Sequence, residues 1–277
     1  MNRRQHAAMR SPVRVAVAGL GAIGTKVVEA LDAGIAGCEL AAVAVRNPAG
    51  AEARVAGLRR PVPVTTLDGL EPLADIVVEC APARLLPDLA APFLRSGKTV
   101  IVLSASALLL HPELIDIARD NGGQIVVPTG ALLGLDAVTA AAEGVIHSVT
   151  MVTRKPVRGL LGAPYLVENG IRIDDITEPV RVFRGTPRAA AVGFPANLNV
   201  AVALSLAGIG PDRTTLEIWA DPSLTRNTHR IEVESDSARF AMTIENIPSD
   251  NPKTGRITAL SVISWLRKLN APLRVGS

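Results

Sequence analysis

Val13 to Gly24 reads VRVAVAGLGAIG, and the reading of this stretch decides the fold. β-Type apolar residues, Val13, Val15, Ala16 and Val17, lead into three glycines, Gly19, Gly21 and Gly24. Helical spacing follows, with Ile23, Val27, Val28 and Leu31 on one face. Strand, glycine turn and helix in this order form the opening βαβ unit of a dinucleotide-binding fold. Gly19 allows the tight turn off the strand, Gly21 leaves room for a pyrophosphate at the backbone, and Gly24 lets the helix pack closely. The free N–H groups at the helix start, from Ala22 and Ile23, and the positive end of the helix dipole favour the phosphates. Glycines recur in many structural turns. It is their place between a strand and a helix that points to NAD or NADP.

The chain continues in the same alternation. Glu39 to Val45, ELAAVAV, reads as a second strand that ends beside Arg46 and Asn47. In a dinucleotide fold that end faces the adenosine ribose, where an acidic residue would select NAD by repelling a 2′-phosphate. Arg46 leaves NADP open; a merely solvated arginine explains the position equally well. Ala74 to Ala81, ADIVVECA, is a buried strand ending at Cys80 and Ala81. A helix from Leu85 to Ser96, the strand Thr99 to Ser104, a helix from Pro112 to Asn121 and the strand Gln124 to Pro128 follow. This pattern predicts a Rossmann-type doubly wound parallel sheet, with its site at the carboxyl ends of the strands. Ser104 and the turn Thr129-Gly130-Ala131 stand at two such ends.

Near residue 146 the pattern changes to strands: His147–Thr153, Pro179–Phe183, Thr214–Ala220, Arg230–Glu234 and Arg239–Glu245. Short polar turns separate the last three, which predicts an antiparallel meander. One apolar helix is predicted from Pro187 through Phe194 to Leu206, and a final helix from Arg256 to Leu269. The expected organisation is a disordered extension over residues 1–12, a dinucleotide-binding domain over 13–130, and an α+β substrate and oligomerisation domain over 131–250. Residues 251–277 then supply a helix that returns to the first domain.

Composition narrows the function. Of the 277 residues, 48% are hydrophobic and 20% charged, as expected of a globular protein. Aromatics make up 3%, too few for base-stacking platforms on single-stranded nucleic acid. The net charge of +3 is spread without a basic block, which argues against a nucleic-acid partner. Cys38 and Cys80 are far apart and lack metal-ligand spacing, so neither a disulfide framework nor a metal site is expected. No segment reads as a membrane span, and the apolar run after the Arg3-Arg4 pair is the glycine-turn strand itself, which favours a cytoplasmic protein.

Four polar groups in the second half carry candidate chemistry. Arg154 and Lys155 open a cationic cluster past a strand, suited to binding carboxylates or simply to solvation. Asn197 and Asn199, two residues apart in an apolar stretch, either use their amides on a ligand or cap a helix. Asp221 to His229, DPSLTRNTH, ends in a histidine at a strand start, a candidate acid–base group or an ordinary polar residue. Lys253 lies in NPKT before the last helix. No nucleophile elbow, zinc-protease motif or phosphate-loop lysine is present.

Taken in order, VAVAGLGAIG, VVECA, PTGALLGLDAV, TRKP, FPANLNVAVALSLAGIG, ADPSLTRNTH and NPKTGRITALSV resemble the L-aspartate dehydrogenase family over nearly the whole chain. FPANLNVA and NPKT are far more specific than the glycine turn. The resemblance implies NAD(P)-dependent oxidative deamination of L-aspartate to iminoaspartate, which hydrolyses to oxaloacetate and ammonia and can feed NAD synthesis. It also implies Ala131 and Asn199 as cofactor contacts, His229 as the catalytic residue, and a homodimer or larger homo-oligomer. TRKPVRGLLGAPY matches the family's basic segment only loosely. The rival readings are a dihydrodipicolinate reductase or homoserine dehydrogenase relative with the same two-domain plan, and a non-catalytic nucleotide sensor. The reductase would carry a paired-histidine and lysine motif, which is not found; a sensor would not need His229 or the basic loop.

Overall fold

The computed structural model describes residues 11–194, 198–249 and 255–276. The first half runs β1 (Val13–Ala18), α1 (Ala22–Ala33), β2 (Cys38–Ala44), α2 (Pro48–Val55), β3 (Val64–Thr65), β4 (Ile76–Glu79), α3 (Leu86–Arg95), β5 (Thr99–Val102), α4 (Ala105–Leu108), α5 (Glu113–Asn121) and β6 (Gln124–Val126). The strands lie in the order β3-β2-β1-β4-β5-β6, all parallel. The order reverses between β1 and β4, which is where a doubly wound sheet opens its crevice. β4 is apolar until its last residue and buried throughout, as a strand covered on both faces must be. Gly97 (φ 69°) and Gly122 (φ 70°) take left-handed conformations just past α3 and α5, where the sequence places helix stops.

The second half runs α6 (Leu135–Ala142), β7 (Ile146–Lys155), α7 (Pro164–Glu168), β8 (Val180–Gly185), α8 (Pro187–Gly193), α9 (Asn199–Ala207), β9 (Thr215–Ala220), β10 (Asn227–Ser235), β11 (Arg239–Asn246) and α10 (Ile257–Lys268). Its sheet has the order β11-β10-β7-β9-β8. β9, β10 and β11 are therefore not the meander that their sequence spacing predicts. The long strand β7 stands between β9, its parallel neighbour, and β10, its antiparallel neighbour. The register of that insertion sets His229 of β10 opposite Thr153 of β7.

The single helix expected over 187–206 is two. α8 stops at Gly193, and Phe194 leaves the helix with φ −134° and ψ 49°. Phe194 precedes Pro195, and a residue before proline is pushed out of the helical region. Its ring, fully buried, closes an aromatic group with Tyr165 and Phe183 at centroid distances of 5.2 and 5.6 Å. α10 runs back to the first sheet, where Val262 and Leu266 are buried in one cluster with Val15, Val27 and Leu31. No helix among the described residues is long and apolar enough to cross a membrane.

Candidate active site

The two sheets meet at a cavity of about 200 Å³. From the first sheet come the strand ends: Glu79, Cys80 and Ala81 after β4, Ser104 after β5, and Gly130 and Ala131 after β6; Ile23 of α1 joins them. From the second come Lys155, Asn227, His229 and Asn246, with Asn199 of α9 and Thr258 of α10. Carboxyl ends of parallel strands are where such folds hold ligands.

The three glycines take up distinct duties in the turn that leads into α1. Gly19 has φ 105°, and a Cβ there would come within 2.6 Å of the Cys80 carbonyl oxygen. Gly21 caps α1, and nothing lies within 4 Å of the place its Cβ would fill. That open space in front of a helix N-terminus fits a pyrophosphate. A Cβ on Gly24 would sit 1.9 Å from the Gly19 carbonyl oxygen, so the close packing this glycine permits is of α1 on the turn itself. Ala22 is the first residue of α1. Arg46 lies exposed, two residues past the end of β2, at the edge where a ribose would be read, and outside the cavity.

Buried polar groups fix the strand ends. Glu79 is 1% exposed; one carboxylate oxygen accepts from the N–H groups of Leu103 (3.0 Å) and Ser104 (2.8 Å), the other from the Ser104 hydroxyl (3.0 Å). Burial outweighs these three bonds and pushes its carboxyl up to about 7. Burial and the neighbouring Glu79 raise the Cys80 thiol well above its ordinary value, so it is no ready nucleophile. Asn199 Oδ1 accepts from Ser106, and Asn246 Nδ2 donates to the Ala131 carbonyl at 2.9 Å. The Gly130 N–H donates to the Ser261 hydroxyl of α10 at 3.1 Å.

The second sheet supplies the groups that can move protons and hold anions. Strand alternation puts Thr153, Lys155 and His229 on the buried face. Burial lowers the Lys155 ammonium to about 8, so it stays mostly charged at neutral pH. Burial first, and then the charge of Lys155, lowers the His229 imidazole to about 3, which keeps it neutral. Its Nδ1 bonds the Thr153 hydroxyl. Arg154 is not brought here. It points to the other face of β7, where it lies 5.2 Å from the Trp219 ring and 3.5 Å from a carboxylate oxygen of Asp221. Asn197 and Lys253 lie outside the described residues.

A family model described as aspartate dehydrogenase, C-terminal, matches residues 136–269. One described as homoserine dehydrogenase, NAD binding domain, matches residues 19–128. The L-aspartate dehydrogenase of Bradyrhizobium diazoefficiens is 62% identical over 267 residues, covering 96% of this chain and 95% of that protein. The chain belongs to the L-aspartate dehydrogenase family. L-aspartate dehydrogenase 3 of Bordetella bronchiseptica is 61% identical, over 97% of this chain and 99% of its own. The crystal structure of aspartate dehydrogenase from Thermotoga maritima, 24% identical, has the same fold, with a TM-score of 0.72 over 95% of this chain and 99% of that one.

Three residues of this L-aspartate dehydrogenase family site go beyond the sequence candidates. Glu79 carries a signal, an acidic residue closing an otherwise apolar strand. Asn246 carries none, because its partner Ala131 is 115 residues away. Thr153 reads only as a β-former until the register of β7 with β10 is known.

Proposed function

We propose that the chain catalyses the NAD(P)-dependent oxidative deamination of L-aspartate to iminoaspartate, which water then converts to oxaloacetate and ammonia, and that the reaction is reversible. The observation that carries this reading is the convergence of Lys155 and His229, from the second sheet, on the strand ends of a dinucleotide-binding sheet. The space before Gly21 and the start of α1 fit the pyrophosphate of the cofactor. Ala131 and Asn199 would contact the cofactor, with Cys80, Ala81 and Ser104 along the strand ends.

Bound NAD(P) supplies the hydride acceptor. The residues of this chain do the rest. Lys155 offers a buried positive charge to a substrate carboxylate, an interaction strengthened by the low local dielectric. His229, neutral in the free protein, accepts a proton from the substrate amine, and the two substrate carboxylates offset the charge that it gains. Lys253 and Asn197 remain candidates for the second carboxylate. Arg154 contributes only if the face it occupies is brought to a site by another copy of the chain.

Several finer assignments go with this reading. The domain limits are 13–130 and 131–250, with 251–277 returning to the first domain. Copies associate as a homodimer or larger homo-oligomer. The dependence on NAD(P) and the two free thiols suit the cytoplasm. Iminoaspartate from this reaction feeds NAD synthesis. The test is a panel of L-amino acids assayed for reduction of NAD and of NADP by nicotinamide absorbance. Turnover selective for L-aspartate is expected; turnover of L-homoserine instead, or none with any member, overturns the reading.

A further inference from the structure

Thr153 and His229 are directly opposed residues of the antiparallel pair β7 and β10. Opposed Cβ atoms in such a pair lie about 4.5–5.5 Å apart, close enough for the side chains to bond. Both residues are 2% exposed, and the Thr153 hydroxyl is in hydrogen-bond contact with Nδ1 of His229. Mutual satisfaction of two buried polar groups would account for the contact by itself. Its location adds a second consequence. His229 lines the cavity, and with Nδ1 taken by Thr153, Nε2 is the nitrogen left for a ligand.

We infer that Thr153 is a positioning residue: its hydroxyl accepts the Nδ1–H of His229 and so keeps the lone pair of Nε2 on the cavity. The inference rests on the assignment of proton transfer to His229. A neutral imidazole has one N–H. If Thr153 donated to Nδ1, that hydrogen would sit on Nε2, which then has no lone pair for a substrate proton. With Nδ1–H donated to Thr153, one bond serves both states. When an amine N–H of the substrate breaks, its proton goes to Nε2 and its electron pair stays on nitrogen. The imidazolium still donates Nδ1–H to Thr153, so the ring need not turn.

The surroundings suit this arrangement. Among the described residues, Lys155, two residues along β7, Glu79, at the end of β4, and the thiol of Cys80 just past it are the titratable groups that share the cavity with the ring. Asn227 and Asn246 are neutral there, and Ile244, opposite His229 on β11, is apolar. Among the described residues, Lys155 is the charged group that acts on the ring from the cavity side.

Two measurements test the inference in the full chain. The chain has four histidines, so ¹⁵N-resolved spectra of the imidazoles can be assigned with single His→Gln variants. Wild-type His229 is expected as the Nδ1-protonated tautomer at neutral pH, shifting toward a mixture in Thr153→Val and returning in Thr153→Ser. In kinetics, Thr153→Val should lower kcat by about a hundredfold, the loss typical of a reacting group held out of place. NADH affinity by fluorescence should not change, and Thr153→Ser should restore kcat and the pH profile. If wild-type His229 carries its proton on Nε2, the inference is overturned. It is also overturned if Thr153→Val keeps wild-type kcat and pH profile while His229→Ala is impaired. Wild-type kcat in His229→Ala would mean that proton transfer itself is misassigned, and the inference falls with it. Should Thr153→Val fail to fold, the wild-type tautomer and the Ser variant decide.

Discussion

Ser106 donates two hydrogen bonds to one atom of Asn199, from its backbone N–H at 3.2 Å and from its hydroxyl at 2.7 Å, both to Oδ1. A backbone N–H can only donate, so the amide oxygen must face Ser106 and the NH₂ must face away. Asn199 lines the cavity, and its NH₂ is therefore a donor to a ligand carbonyl or carboxylate oxygen. Asn199→Asp keeps an acceptor for Ser106 and replaces that donor with an acceptor. The variant should fold normally and bind NADH about tenfold or more weakly, the order expected for one lost hydrogen bond. Unchanged affinity by fluorescence titration would show that no cofactor oxygen meets this amide.

Gly21 and Gly24 should respond differently to substitution. Gly21 has φ −77°, ordinary for any residue, and open space where its Cβ would be. Gly21→Val should leave the melting temperature nearly unchanged but weaken NAD and NADP by about tenfold or more, since its methyls enter the phosphate space. Gly24→Ala puts a methyl 1.9 Å from the Gly19 carbonyl oxygen and should lower the melting temperature itself. Calorimetry on both variants separates the two effects.

Arg46 stands exposed past β2, with no acidic residue in the place that would repel a 2′-phosphate. NADP should be accepted. Arg46→Asp should shift the ratio of kcat/KM toward NAD by about tenfold, the scale of one charge-assisted hydrogen bond exchanged for repulsion. A ratio that does not move would place Arg46 away from the ribose.

His229→Ala should lower kcat by about 10²–10⁴-fold, the usual contribution of positioned proton transfer, with NADH affinity retained. An effect on KM alone would make His229 a binding residue.

Glu79 and His229 impose opposite pH dependences on stability. The Glu79 carboxyl is raised from 4.5 to about 7, so between these values the folded protein holds more protons than the unfolded chain. Stability from this group is full below about 4.5 and is lost as pH rises through 7. The His229 imidazole is lowered from 6.5 to about 3, so its contribution is full above 6.5 and is lost as pH falls toward 3. Removing the titrating carboxyl isolates one of the two. Relative to Glu79→Gln, the wild type should lose about 3 kcal/mol between pH 4.5 and pH 7. Denaturant midpoints of both proteins across that range measure the difference; parallel curves would mean that Glu79 does not titrate there.

The first sheet was legible because its signals are local. The run into Gly19, the helix stops at Gly97 and Gly122 and the apolar strands each need only neighbouring residues to be read. The second sheet was legible as strands but not as an order. Nothing near β9 or β10 announces that β7 lies between them, and spacing alone favours pairing neighbours. The site divides in the same way. Lys155 and His229 stand out by residue type, while Thr153, Glu79 and Asn246 gain meaning from partners 76, 25 and 115 residues distant. Arg154 differs from Lys155 only in strand parity, and parity sends its guanidinium to Trp219 on the far face.

The return of α10 to α1 also sets a timetable. Val262 and Leu266 complete the apolar layer that Val15, Val27 and Leu31 begin, and Ser261 secures the Gly130 turn. A chain growing on the ribosome therefore makes the glycine turn first and the helix that seals its sheet last. Until α10 emerges, the nucleotide-binding half has an open flank. A nascent chain whose α10 has not yet emerged, or one terminated before it, would present that flank to chaperones and proteases.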